Sequence, residues 1–139
     1  MRKIYFVMVL LLSVTIGAQA DNVEIQDVID AGLPILYVET VDGEEPTYDV
    51  AYAPEGQNGK GITNATKVPG RIRLVQDGID LYDSGEYVAK TSGMTIKVRG
   101  NTSAADSPKK PYKIKLQVKA DLLNRGNDAK YADKNWILI

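Results

Sequence analysis

The chain has 139 residues with 17 Lys or Arg, 18 Asp or Glu, and neither Cys nor His, for a formal net charge of −1. Without Cys and His, disulfide bonds, zinc sites built on these residues and a Ser-His-Asp hydrolase triad are excluded. The nearly balanced charge also argues against a basic protein that binds nucleic acid.

The first 20 residues have the organisation of a secretory signal peptide. Arg2 and Lys3 form a basic n-region, residues 4–16 form an apolar h-region, and Ala18-Gln19-Ala20 matches an A-x-A cleavage site. The apolar run is short for a membrane span, which favours cleavage over a membrane anchor. We therefore expect an exported protein (periplasmic, cell-surface or extracellular) with no stable membrane span after cleavage.

Short strands separated by turn residues dominate the rest of the chain, after a lead-in at residues 21–31 that is either a helical turn or a linker. Alternation and β-branched content predict strands at Leu33–Val41, Tyr48–Tyr52, Arg71–Val75, Ile79–Leu81 and Tyr87–Ala89, then from Met94, from Tyr112 and over a buried Asn135–Ile139. Turns are predicted at Asp42-Gly43, Asp77-Gly78 and Asp83-Ser84-Gly85, and a glycine-rich loop at Pro54–Thr66. This pattern predicts a mainly β domain.

The stretch at residues 94–118 reads as a hairpin of two strands around a polar loop. Residues 97–119 hold seven basic and one acidic side chain, whereas residues 21–96 hold five basic and fourteen acidic ones. If the strands pair, Lys97, Arg99, Lys113 and Lys115 share one polar surface. A solvated outer face is the usual meaning of such a charge run, and a surface that binds phosphate is the alternative.

Four runs of residues resemble the CotH family of spore-coat-type atypical protein kinases. They are Gly32–Thr40, Arg99–Ser103, Lys109–Leu116 and Asp133–Leu138, in the order and spacing of that family. The loop departs from the family pattern at Lys97-Val98, where Arg-Gly is common, at Thr102-Ser103, which invert the usual Ser-Thr, and at Ala104, where Trp is usual.

This resemblance implies that residues 32–139 are the N-terminal part of a CotH-type kinase domain, with an antiparallel sheet like the N-lobe of an atypical kinase. The activity it implies is phosphate transfer from ATP, with a divalent metal such as Mg²⁺, to Ser or Thr of a surface or secreted protein. The chain ends within an apolar run, and the family's catalytic and metal-binding carboxylates are expected beyond Ile139. The fragment alone is therefore expected to be inactive.

The candidate nucleotide-binding residues lie in and after the polar loop. Lys113 and Lys115 follow the loop on a strand, much as the nucleotide lysine of a kinase follows its phosphate loop. Arg99 and Asn101 can donate hydrogen bonds to phosphate oxygens, and Gly100 allows a ligand to approach the backbone closely. No metal ligand is assigned, since Asp121, Asp128 and Asp133 are interpreted as turn and capping residues.

A second hypothesis is a non-catalytic, exported β-rich module for adhesion or carbohydrate binding. The chain has eight tyrosines against one phenylalanine, and exposed tyrosines can form a platform for sugars. Half-buried strand positions explain the same tyrosines, so the composition leaves both possibilities open.

Overall fold

The computed structural model describes residues 6–9, 25–54, 59–100, 102–126 and 129–139, and it confirms a mainly β fold of antiparallel strands. The strands are β1 (Phe6–Val9), β2 (Ile35–Thr40), β3 (Asp49–Tyr52), β4 (Lys60–Thr63), β5 (Val68–Gln76), β6 (Ile79–Asp83), β7 (Met94–Val98), β8 (Tyr112–Ala120) and β9 (Asp133–Leu138). The short helices are α1 (Ile25–Asp30) and α2 (Thr102–Asp106), with 3₁₀ turns at Val41–Gly43 and Ala129–Tyr131.

Most of the proposed signal peptide, including the cleavage site at Ala18-Gln19-Ala20, lies outside the described residues, and export stays a prediction. A search of the described helices finds none with the length and apolar content needed to cross a membrane.

Seven of the strands form one sheet in the order β1-β2-β5-β7-β8-β9, in which β6 also pairs with β5. The first residues of β5 pair with β7 and its last residues pair with β6, so these two strands share one side of β5. β3 and β4 form a separate two-stranded hairpin. The Met94 and Tyr112 strands are neighbours, as the sequence predicts.

The large sheet has an apolar inner face, and the outer face of β7 and β8 is polar. The inner face carries the buried core, which comprises Val38, Val68, Ile72, Met94, Ile96, Ile114, Leu116, Leu122 and Leu138. In β7 and β8 the buried positions alternate with more exposed ones over Met94–Val98 and Lys113–Leu116. The side chains of Lys97 and Lys113 therefore leave the sheet on the face opposite to the core.

The prediction of a continuous loop over Pro54–Thr66 is wrong, because β4 lies within it. β4 pairs with β3 in the register Asp49↔Thr63 to Tyr52↔Lys60. The backbone N–H of Thr66 donates to the Thr47 carbonyl at 2.9 Å, and the Asn64 side chain donates to Asp49 at 2.7 Å. The ladder with β3 and the Thr66 bond satisfy the backbone of a glycine-rich segment whose own composition does not favour a strand, and the Asn64 bond adds a side-chain contact.

Two other strand predictions need correction. The residues predicted as a strand at Tyr87–Ala89 form a tight turn, closed by a single bridge between Val88 and Ser92. The predicted buried strand at Asn135–Ile139 is the outermost strand β9, where Ile137 is 50% exposed. An outer strand has one neighbour, so its outward side chains stay in contact with solvent.

Candidate functional site

Antiparallel pairing of β7 with β8 places the predicted cations on one surface. Lys97 lies opposite Lys113, and Lys115 lies opposite Thr95. Arg99 follows two residues after Lys97, and its backbone N–H donates to the Pro111 carbonyl at 2.9 Å, which continues the ladder. Lys97, Arg99, Lys113 and Lys115 therefore share the outer face, as the sequence predicts, and we call these four residues the basic strip.

The basic strip differs from the other cations of the same face in having no carboxylate partner within the described part of the chain. Arg71 pairs with Asp83 and Glu86, and Arg73 pairs with Glu39 and Asp80. Hydrogen bonding to Asp83 raises the pKa of Arg71, and the same contact lowers the pKa of Asp83. No described acidic side chain forms such an ion pair with a residue of the strip.

An open cleft of about 390 Å³ lies at one end of the basic strip. Its lining residues are Arg99, Gly100, Ser107, Lys109, Pro111 and Ile139. Gly100 has φ of 105°, a conformation that side-chain-bearing residues rarely adopt. Two cations, a hydroxyl and a bare glycine backbone are groups that hold phosphate oxygens, while Pro111 and Ile139 supply an apolar wall.

The predicted site residues differ in whether they line the cleft. Arg99 lines the cleft, whereas Lys113 and Lys115 lie along β8 outside its lining. Asn101 lies outside the described residues. Sequence reasoning missed Lys109 and Ser107, since both lie in an irregular loop where no periodicity indicates the direction of a side chain.

The loop that carries Lys109 is held by helix α2 and by the β3–β4 hairpin. Ala104 of α2 is fully buried, and the Lys60 ammonium of β4 donates to Asp106 at 2.9 Å. This hydrogen bond raises the pKa of Lys60. The ammonium of Lys110 lies 5.8 Å from the centre of the Tyr48 ring. These contacts fix the loop beside the end of β7, which determines the shape of the cleft.

The structure describes two of the three acidic residues that the sequence assigns to turns and caps, Asp121 and Asp133, and both accept local hydrogen bonds. Asp121 accepts hydrogen bonds from the backbone N–H groups of Leu123 and Arg125 and from the Arg125 side chain. Asp133 accepts one from the backbone N–H of Asn135 at 2.7 Å. Asp128 lies outside the described residues. Where the structure describes the chain, no three acidic side chains converge in a way that could hold a metal ion.

The β3–β4 hairpin presents a strongly exposed tyrosine. Tyr52 is 74% exposed, and the Lys60 ammonium lies 6.0 Å from the centre of its ring. Val50 lies two residues earlier on the same face of β3 and is 42% exposed. This small apolar surface is the structural basis for the carbohydrate-binding alternative.

Comparison of the chain with protein-family models, curated proteins and solved structures finds no match.

Proposed function

We propose that this chain is the N-terminal portion of an exported CotH-type atypical kinase that transfers phosphate from ATP to Ser or Thr of a surface or secreted protein. The observation that carries the proposal is the position of Arg99. It joins the basic strip to a cleft that also contains Lys109, Ser107 and the bare backbone of Gly100. The four sequence runs that resemble the CotH family support it independently.

The described residues fit the phosphate groups of ATP better than they fit a metal. Arg99 and Lys109 would contact phosphate oxygens in the cleft, and Lys113 and Lys115 would contact them from the strand. A divalent metal, when bound, would supply neutralisation of the charge that develops on the phosphates. Since no described group of carboxylates can hold such an ion, we assign to this part of the chain the binding and orientation of phosphate.

The reaction itself gives the test. In phosphate transfer, the hydroxyl oxygen of Ser or Thr bonds to the γ-phosphorus while the bond to the bridging oxygen breaks, which releases ADP and a proton. Incubating the full-length protein with γ-labelled ATP and Mg²⁺ should place label on Ser or Thr. Because a charge-assisted contact contributes about 1.5–3 kcal/mol, Arg99→Ala, Lys113→Ala or Lys115→Ala should reduce labelling at low ATP roughly ten- to a hundredfold.

Lys134→Ala is the matched control. Lys134 directly precedes the outward-facing Asn135 in β9, so its side chain lies on the opposite face of that strand. Equal labelling by the parent and all three strip variants, with folding retained, would show that the basic strip is an ordinary solvated surface.

A non-catalytic carbohydrate-binding or adhesion module is the second candidate, and the exposure of Tyr52 favours it. Aromatic rings at an exposed position supply apolar contact area with a polar tip. Screening the protein against immobilised glycans should then reveal binding that Tyr52→Ala abolishes and Lys113→Ala leaves unchanged. Binding with that pattern, together with no affinity for ATP, would favour the module over the kinase.

A further inference from the structure

A row of cations lies beside one exposed apolar side chain on the outer face of the sheet. Lys113 of β8 has Lys97 of β7 on one side and Ile137 of β9 on the other. Ile137 is 50% exposed. Strands lie ~4.8 Å apart and alternate residues of a strand ~7 Å apart, so the cations and Ile137 form one surface of close-set groups.

The cations of this surface are poorly compensated within the described chain. Like charges that lie directly opposite each other in neighbouring strands repel, and Lys97 and Lys113 are such a pair. The basic strip forms no ion pair with a described residue, whereas Arg71 and Arg73 on the same face each have two carboxylate partners. An external anion would relieve the repulsion between Lys97 and Lys113.

Ile137 is open to solvent as well. β9 is the last strand in the order of the sheet, and no described strand pairs with its outer edge. A soluble polyanion would need the cations but would gain little from Ile137. A lipid surface needs both, since basic side chains bind its phosphates while apolar side chains enter the boundary between headgroups and acyl chains.

We propose that the basic strip and Ile137 form a docking surface for a membrane whose lipid headgroups carry net negative charge. The surface lies along the middle of β8, and the cleft that contains Arg99 and Lys109 lies at its end. Vesicle binding measured without nucleotide tests this inference separately, because Lys113 and Lys115 are also the lysines proposed to contact the phosphates of ATP. The inference assigns to Lys97, Lys113 and Lys115 a partner, the membrane surface, whose phosphate groups extend over an area larger than the cleft.

The test is binding of the full chain to two kinds of vesicle, one of phosphatidylcholine alone and one of phosphatidylcholine mixed with phosphatidylglycerol. Apolar side chains partition to a similar extent into both kinds of vesicle, so the ratio of the two affinities isolates the electrostatic part. A Lys near an anionic membrane contributes about fivefold, and Lys113→Gln combined with Lys115→Gln should therefore lower the ratio about 25-fold. Added salt should lower it as well.

The matched control is Lys130→Gln combined with Lys134→Gln, which removes the same two charges elsewhere. Lys134 lies on the opposite face of β9. Lys130 lies in the connection between β8 and β9. This connection contributes Leu122 to the core, and it lines a second cleft together with Tyr82. This control should leave the affinity ratio close to that of the parent. Ile137→Ser should weaken binding to the anionic vesicles, since it removes the apolar contact and keeps every charge.

Three results would overturn the proposal. The first is equal binding of the parent to both kinds of vesicle. The second is a fall in the affinity ratio of the Lys130 and Lys134 control that equals the fall in the Lys113 and Lys115 variant. Such a result would mean that binding depends on net charge alone. The third is an Ile137→Ser protein that binds the anionic vesicles as the parent does while soluble polyphosphate displaces both, which would assign the strip to a soluble polyanion.

Discussion

Lys97 lies directly opposite Lys113 in the β7–β8 ladder, on the face of the sheet that is turned away from the core. Charged pairs at directly opposed positions contribute roughly 0.2–1 kcal/mol, and the sign is unfavourable when the charges are alike. The pair therefore lowers the stability of the free protein. Such a cost is consistent with a surface that has a role in binding anions.

Replacing one member of this pair by an acid should stabilise the protein. We expect Lys97→Glu to raise the free energy of unfolding by up to about 1 kcal/mol, because it converts a repulsive pair into an attractive one. Adding Lys113→Glu should remove the gain, since two carboxylates then face each other. Chemical denaturation of the parent, both single variants and the double variant measures the coupling. Strictly additive effects would mean that the two side chains do not interact.

The capping carboxylate of Asp121 should make stability depend on acid pH. Hydrogen bonds, first from the Arg125 side chain and then from the backbone N–H groups of Arg125 and Leu123, lower its pKa from 3.8 to about 2. A carboxylate whose pKa is lower in the folded state stabilises the fold at pH values above the ordinary pKa. This stabilisation is lost as the pH falls towards 2.

Comparison of the parent with Asp121→Asn isolates that contribution. The difference in the free energy of unfolding should be largest above about pH 5 and should shrink as the pH approaches about 2, where the parent carboxylate is protonated. Denaturation midpoints measured across this range provide the check. A difference that is constant with pH would assign the effect of Asp121 to the shape of the turn and not to its charge.

Gly70 in β5 should resist substitution because two neighbours occupy the space of a side chain. A Cβ at this position would overlap the carbonyl oxygen of Glu39 in β2 and lie 2.9 Å from the methyl carbon of Met94. Backbone cannot yield as a side-chain end can, so Gly70→Ala should cost about 1–3 kcal/mol or more.

Gly78 is the appropriate comparison, since a Cβ there meets nothing within 4 Å and its φ of 74° adds a backbone cost of about 1–2 kcal/mol. Thermal or chemical unfolding of both alanine variants should give the larger loss at Gly70. A Gly70→Ala protein as stable as Gly78→Ala would mean that β2 and β5 separate easily at this point.

The sequence predicts the hairpin well because its signal is local. Alternation at Met94–Val98 and Tyr112–Leu116 is enough to assign two strands and to place their cations on one face. The strand at Lys60–Thr63 escapes prediction because pairing with β3 forms it, against its own glycine-rich composition. Lys109 escapes for a similar reason: contacts between residues 46 positions apart, such as Lys60 with Asp106, hold its loop.

The central claim is that the basic strip and the adjoining cleft bind nucleotide phosphate, and direct titration of the chain with ATP tests it. The parent should bind ATP and should bind adenosine much more weakly, because the phosphates provide the charge-assisted contacts. Arg99→Gln and the Lys113→Gln, Lys115→Gln pair should each weaken ATP binding roughly tenfold or more, while Lys130→Gln combined with Lys134→Gln should bind as the parent does. Equal affinity for ATP and adenosine, or equal affinity of all variants for ATP, would contradict the claim.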